Sequence, residues 1–195
     1  LKKRIVGKRS LVREIDPDLT LMRRIAAGDA GAVRQLVSTS TPRIWSLACR
    51  VLHDQAAAED IVQETMIRAV RTAPKWKAGS ARLDTWLHTV ALNLCRDTLR
   101  RRKEIAMPEL PERADPASGA EASLIDAERS EQVAVAIQGL PDRQREAIIL
   151  VHYQELSSNE AATILEVSIE ALESLLSRGR RHLKQQFSKQ EHDDV

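Results

Sequence analysis

Apolar residues recur three and four positions apart along most of the chain, the period of an α-helix and not the alternation of a strand. Asp16-Pro17 opens the first predicted helix, with Leu19, Met22 and Ile25 on one face and Gly28 ending it. Asp29 caps a second helix through Val33, Leu36 and Val37. A Ser-Thr-rich stretch then leads to Pro42, and the pattern resumes at Ile44, Trp45, Leu47, Ala48 and Val51, so a kink or break is predicted there. Asp54 caps a third helix whose stripe is Ala58, Ile61, Val62, Thr65, Met66 and Ala69, with Glu59, Asp60, Gln63 and Glu64 on or beside a polar face. In a fourth helix Leu83, Leu87, Val90, Leu94 and Thr98 share a stripe, and Asn93, Arg96, Arg100 and Arg101 lie off it.

The pattern stops near Glu104. Met107-Pro108, Leu110-Pro111, Asp115-Pro116 and Gly119, among many acids, mark a linker over 104–122. Periodicity returns from about Ser123 to Gln138 with Ile125, Val133 and Ile137. Gly139-Leu140-Pro141 separates that helix from one carrying Ala147, Ile148 and Val151. Ser157-Ser158-Asn159-Glu160 has the form of a capping box before a short helix with Ala162 and Leu165. Glu166-Val167-Ser168 is a turn, and Ser168 caps a long last helix bearing Leu172, Leu176, Gly179 and Leu183. The fold class expected is all-α: a helical domain over 16–103, the linker, and a second helical domain over 123–187. A basic N-terminal extension over 1–15, disordered or derived from a tag, and a polar tail over 188–195 flank them.

Composition narrows this further. The 195 residues are 43% hydrophobic, 30% charged and only 3% aromatic, which suits two small helical domains and excludes a β-rich fold. A net charge of +2 does not by itself announce nucleic acid, but its distribution does more. Arg100, Arg101, Arg102 and Lys103 form one basic block and Arg178, Arg180, Arg181 and Lys184 another, with the acidic linker between. Two cysteines outside any CxxC motif fit a reducing cytoplasm. Neither a secretory signal nor a run of about 18 apolar residues is visible, so membrane insertion is not expected.

A short helix, a turn and a longer helix ending in clustered arginines is the order of a helix-turn-helix, whose second helix enters the major groove. Ser168, Glu170, Glu173, Ser174 and Ser177 would face bases, with Arg178 and Arg181 near the backbone. The competing reading is a helical pair that merely packs. The loop Lys75-Trp76-Lys77 to Ser80 interleaves cations with an aromatic, the chemistry that stacks unpaired bases and holds phosphates. Trp86 falls in register with Val90 and reads as core, while Trp76 is the better candidate for exposure. Asp60, Gln63 and Glu64 are either a solvated face or a docking face for a partner's helices. Cys49 and His53, four apart, have metal-ligand spacing but no second pair, and a structural thiol beside a polar imidazole accounts for them. No metal or other cofactor is expected. With no phosphate loop, nucleophile elbow or paired-carboxylate motif, an enzyme has no foothold.

Two stretches resemble the small extracytoplasmic-function (ECF) sigma factors of the sigma-70 family. One is Ala57-Ala58-Glu59-Asp60-Ile61-Val62-Gln63-Glu64-Thr65, followed by Trp86-Leu87 and the Asn93, Asp97, Arg100 pattern. The other is Gly139-Leu140-Pro141 with Arg145, then the Ser157 to Leu183 helix-turn-helix. The resemblance runs from about Leu19 to Phe187. It implies an alternative sigma factor, of the kind serving stress responses, that directs RNA polymerase to promoters and takes part in DNA melting. Asp60, Gln63 and Glu64 would hold a coiled coil of the polymerase largest subunit. Asn93, Arg96, Arg100 and Arg101 would follow the single-stranded minus-ten element, with a base turned out into the loop of Lys75, Trp76, Lys77 and Ser80. The second domain would read the duplex minus-thirty-five element, and the resemblance also implies an anti-sigma factor as antagonist.

The last helix departs from the family. Where a Thr-Val-Lys-Ser-Arg-like run is common, this chain has Ala171-Leu172-Glu173-Ser174-Leu175, and Glu166 replaces a frequent turn glycine. Either its base preference is unusual, since a carboxylate accepts from the cytosine amino group, or the domain serves protein contacts. A sigma-like decoy that sequesters an anti-sigma factor is therefore a second reading, and a free-standing helix-turn-helix regulator a third.

Overall fold

A computed structural model describes residues 16–77, 79, 81–105 and 132–193, with side chains through 188. The expected N-terminal extension, nearly all of the linker, the start of the helix expected from Ser123, and Ser80 lie outside the described residues. The elements are α1 (Pro17–Ala26), α2 (Ala30–Leu52), α3 (Gln55–Thr72), a 3-10 turn (Ala73–Lys75), α4 (Leu83–Ile105), α5 (132–138), α6 (Asp142–Ile148), a π-helical turn (Ile149–Tyr153), α7 (Ser158–Leu165) and α8 (Ile169–Asp193). Among the described residues there is no strand.

Local chemistry sets most of these boundaries. Asp16 accepts from the N–H groups of Asp18 and Leu19 to open α1. Past its end, Gly28 takes φ 80° and the N–H groups of Gly28 and Asp29 donate to Ile25 O and Arg24 O, the paired bonds that close a helix through a left-handed residue. Asp29 at once caps α2 by accepting from Gly31 and Ala32. At the end of α2, His53 takes φ 53° and its N–H donates to Cys49 O at 2.8 Å, the last main-chain bond of the helix.

Of the kink or break expected at Pro42, the break does not occur: α2 runs from Ala30 to Leu52 with Pro42 inside it. The missing N–H and the ring clash cost about 3 kcal/mol. Against this, Leu36, Ile44, Leu47, Ala48 and Val51 on both sides of the proline are buried together against α3 and α4, and burying even two such side chains exceeds it.

The first domain is the bundle α1–α4, with α2 at its centre and Met22, Leu36, Ile44, Leu47, Leu87 and Leu92 fully enclosed. The predicted α3 stripe is the buried one, residue for residue. The predicted α4 stripe holds only in part: Leu83 and Leu87 are buried, but Val90, Leu94 and Thr98 are half-buried, and Thr85, His88, Ala91, Leu92 and Cys95 are buried instead, because α4 is covered on two sides. Asp18 accepts from Leu83 N–H at 2.8 Å and ties the start of α4 to α1.

The second domain packs α5–α8 around Ile137, Leu140, Ile148, Ile149, Leu150, Leu165 and Leu172. α8 crosses α6 at Gly179, where an added Cβ would come within 3.0 Å of Ile148 Cγ1, so a larger side chain would push the helices apart. α6 ends in the π turn, with Gln154 N–H donating to Ile149 O, and this widened turn aims Gln154 inward. The domains touch. Gln154 is buried beside His88 of α4, 3.3 Å between side-chain atoms, and Arg43 donates to Gln154 O at 2.7 Å.

Candidate nucleic-acid and partner interfaces

On α3, Asp60 and Gln63 are exposed, and Glu64, half exposed, accepts from Arg68 at 2.7 Å one turn on. Ile67 stands on the same side and is 44% exposed, an apolar residue the sequence reading passed over although it falls outside the stripe. The face is thus a polar ridge with an apolar end, carried by a helix whose opposite side is locked in the core.

The residues chosen on α4 do not share one environment. Asn93, Arg100 and Arg101 are exposed, and Arg100 pairs with Asp97 of its own helix at 3.0 Å. Arg96 is half buried: its Nε and Nη2 each donate at 2.8 Å to the two oxygens of Glu146 on α6, and its Nη1 donates to Asn93 at 3.0 Å. Hydrogen bonding to Glu146 raises the Arg96 pKa, fixing the charge. In the loop before α4, Lys75 and Lys77 are exposed, whereas Trp76 is half buried, its ring edge-on to Trp86 at 5.7 Å between centroids. Both tryptophans pack against the core, so the Trp76 ring is a wall of the loop more than a free stacking surface.

The helix-turn-helix forms as expected from local chemistry. Ser157 Oγ accepts from Glu160 N–H while Glu160 accepts from Ser157 N–H at 3.0 Å, and the Ser157 bonds hold the Glu160 carboxyl below the usual carboxylate range. Glu166 occupies the turn with φ 55°, and Ser168 Oγ accepts from Ala171 N–H at 3.2 Å to start α8. Leu172, Leu176 and Gly179 bury one face of α8. Ser168, Glu170, Glu173, Ser177, Arg178 and Arg181 are exposed, and Ser174 is half buried. The Glu170 carboxyl is held low by its own backbone N–H and then by the Ser168 hydroxyl, and a negative charge in a first turn suits the helix dipole. Glu173 accepts from Ser158 of α7 at 3.5 Å. Glu170 therefore also serves the start of its own helix, and Glu173 ties α8 to the start of α7.

Among the described residues no group of three or more His, Cys, Asp or Glu is placed to hold a metal, and no helix is long and apolar enough to cross a membrane.

A helical bundle with a polar ridge on α3 and a basic α4, joined in one chain to a helix-turn-helix domain, defines a two-domain helical class. Comparison with known proteins resolves the class. Sigma-70 region 2 matches residues 36–105, and the family described as Sigma-70, region 4 matches residues 130–183. The chain is 33% identical over 171 residues to the ECF RNA polymerase sigma factor SigE of Mycolicibacterium smegmatis, covering 84% of this chain and 66% of that protein. It is 30% identical over 186 residues to ECF sigma factor SigW of Bacillus subtilis, covering 85% and 94%. The fold is similar to that of CnrH in complex with the cytosolic domain of CnrY, with a TM-score of 0.69 and 23% identity over 89% of this chain and 99% of that one. It is also similar to the sigma factor RpoE in complex with the anti-sigma factor NepR from Bartonella quintana, with a TM-score of 0.63 and 25% identity over 80% and 96%. The chain belongs to the ECF sigma factors of the sigma-70 family.

Proposed function

We propose that this chain directs RNA polymerase to a particular set of promoters as an alternative sigma factor, working in the cytoplasm. Asp60, Gln63 and Glu64 dock on a coiled coil of the largest polymerase subunit, and Ile67 extends that contact with apolar area. Asn93, Arg96, Arg100 and Arg101 follow the non-template strand of the minus-ten element. Lys75, Lys77 and Ser80 frame the base turned out beside Trp76. The exposed face of α8, from Ser168 and Glu170 through Glu173, Ser174 and Ser177, reads the duplex minus-thirty-five element, with Arg178 and Arg181 on phosphates.

The observation that carries this reading is the order of two family matches on two helical domains, the second ending in a helix-turn-helix with its outer face open. Two modest DNA contacts fixed on one large partner gain affinity through effective concentration, which suits a net charge of only +2. An anti-sigma factor controls the protein, a reading supported by the similar fold of RpoE solved with the anti-sigma factor NepR bound. Run-off transcription with core polymerase tests the assignment, and folded protein that yields no promoter-dependent transcript on any genomic promoter would end it.

The acids of α8 favour one alternative, a decoy that captures an anti-sigma factor and ignores polymerase. Pull-down of core polymerase separates the two: a decoy leaves the polymerase unbound.

A further inference from the structure

The exposed charges of α8 are sorted by sign along the helix. Arg178, Arg180, Arg181 and Lys184 lie in its middle and suit phosphates, whereas Glu170 and Glu173 lie at its start, where a recognition helix meets base edges. A carboxylate at that place is repelled by the phosphates that wall the groove, and only a hydrogen-bond donor on a base offsets the repulsion. Ile169 is exposed at the same end, at 44%, an apolar side chain that packing inside the domain does not use.

The two acids differ in what already holds them. Glu170 is engaged at its own helix start, by its own N–H and the Ser168 hydroxyl. Glu173 has Ser158 Oγ at 3.5 Å from one oxygen, too long for a strong hydroxyl bond, so Ser158 steers the side chain and leaves its acceptors open to a better donor. An ionised carboxylate only accepts. In the major groove guanine offers two acceptors, thymine an acceptor and its methyl group, and adenine an amino donor beside the N7 acceptor. Cytosine offers its N4 amino donor with no acceptor next to it on its own edge.

We propose that Glu173 is a base-selecting residue: it accepts from the N4 amino group of one cytosine, and Ile169 packs on the methyl group of a thymine close by. The proposal rests on α8 reading duplex DNA. Ile169 and Glu173 are four residues apart, so they share a helix face and stand about 6 Å apart along its axis. With base pairs about 3.4 Å apart, the thymine falls within about two steps of the cytosine. The acids that set this helix apart from a plainly basic one thereby become its source of base preference.

The test is selection from a randomised duplex library by the full chain alone, at about 50 mM salt, with the bound fraction sequenced and circular dichroism confirming the fold of each variant. Wild type should favour cytosine over guanine and thymine about tenfold at one base pair. Glu173→Gln should move the preference at that pair to adenine, whose N6 and N7 match the donor and acceptor of an amide, and leave the other pairs unchanged. Ile169→Ala should lower the thymine preference at the neighbouring pair about fourfold, the worth of roughly one buried methyl group. The same base preferences in wild type and Glu173→Gln, or guanine or thymine favoured by wild type at the pair that Glu173→Gln alters, would overturn the role of Glu173. An unchanged thymine preference in Ile169→Ala would overturn the methyl contact, and no sequence enriched by the wild-type chain would overturn duplex reading by α8. No polymerase is present in the selection, and run-off transcription requires no particular base at this pair, so these failures are distinguishable from failure of the sigma assignment.

Discussion

Replacing Glu166 by glycine should make the second domain more stable, although it deletes a side chain. Glu166 sits at φ 55° and ψ 46°, just past the end of α7. Its N–H donates to Thr163 O and that of Val167 to Ala162 O, the bond pair of a left-handed helix stop. Holding a residue with a Cβ there costs about 1 to 2 kcal/mol, which glycine avoids. Glycine also loosens the unfolded chain, which takes back about 0.4 to 1 kcal/mol. The exposed Glu166 carboxylate attracts Arg96 only at long range, worth a few tenths of a kcal/mol at most. The balance is a gain of about 0.5 to 1 kcal/mol, or a rise of several degrees in Tm for a domain of this size. Glu166→Ala is the control, because it removes the carboxylate and keeps the strain. Urea unfolding followed by circular dichroism, with unchanged slope, should place the midpoints in the order Gly above Ala, with Ala close to wild type. A glycine variant less stable than the alanine variant would refute the claim that backbone strain is held in this turn.

Changing Asp60 and Gln63 together to Ala should leave the melting curve unchanged and weaken core-polymerase binding at least tenfold, read by surface plasmon resonance; unchanged affinity would remove the docking ridge from α3. Arg178→Glu should weaken promoter duplex binding of the polymerase complex at every sequence alike and lower the salt slope by about one, the signature of a phosphate contact. Asp54 is held below its ordinary value of 3.8, first by the Ala57 N–H it caps and then by Arg102. A carboxylate with a depressed folded pKa contributes stability above its unfolded pKa and loses it as pH falls through the folded one. Asp54→Ala should therefore cost about 1 kcal/mol at pH 7, the usual worth of a helix cap, and the gap from wild type should close at acid pH in a stability-against-pH series. Burial pushes the Cys95 thiol up to about 12, so it is protonated at neutral pH. Iodoacetamide at pH 8 should leave it unmodified in the native chain and alkylate it in denaturant, as read by mass spectrometry; rapid native labelling would contradict its burial.

The sequence by itself determined what is short in range. Caps at Asp16, Asp29, Asp54 and Ser157, the left-handed stop at Gly28 and the stripe of α3 are each specified within one or two helical turns, where the bonding partners are fixed by backbone geometry. Those signals sufficed for an all-α chain, its helix-turn-helix and the exposed faces of α3 and α8. Only the tertiary structure decided that α2 continues through Pro42, that α4 is buried on two sides, and that Trp76 leans on Trp86. It alone placed Arg96 on Glu146, fifty residues away in sequence. The physical reason is the same in each case. Burial energy and ion pairing depend on what distant segments bring to the same place, and no local period encodes a partner that arrives from another domain.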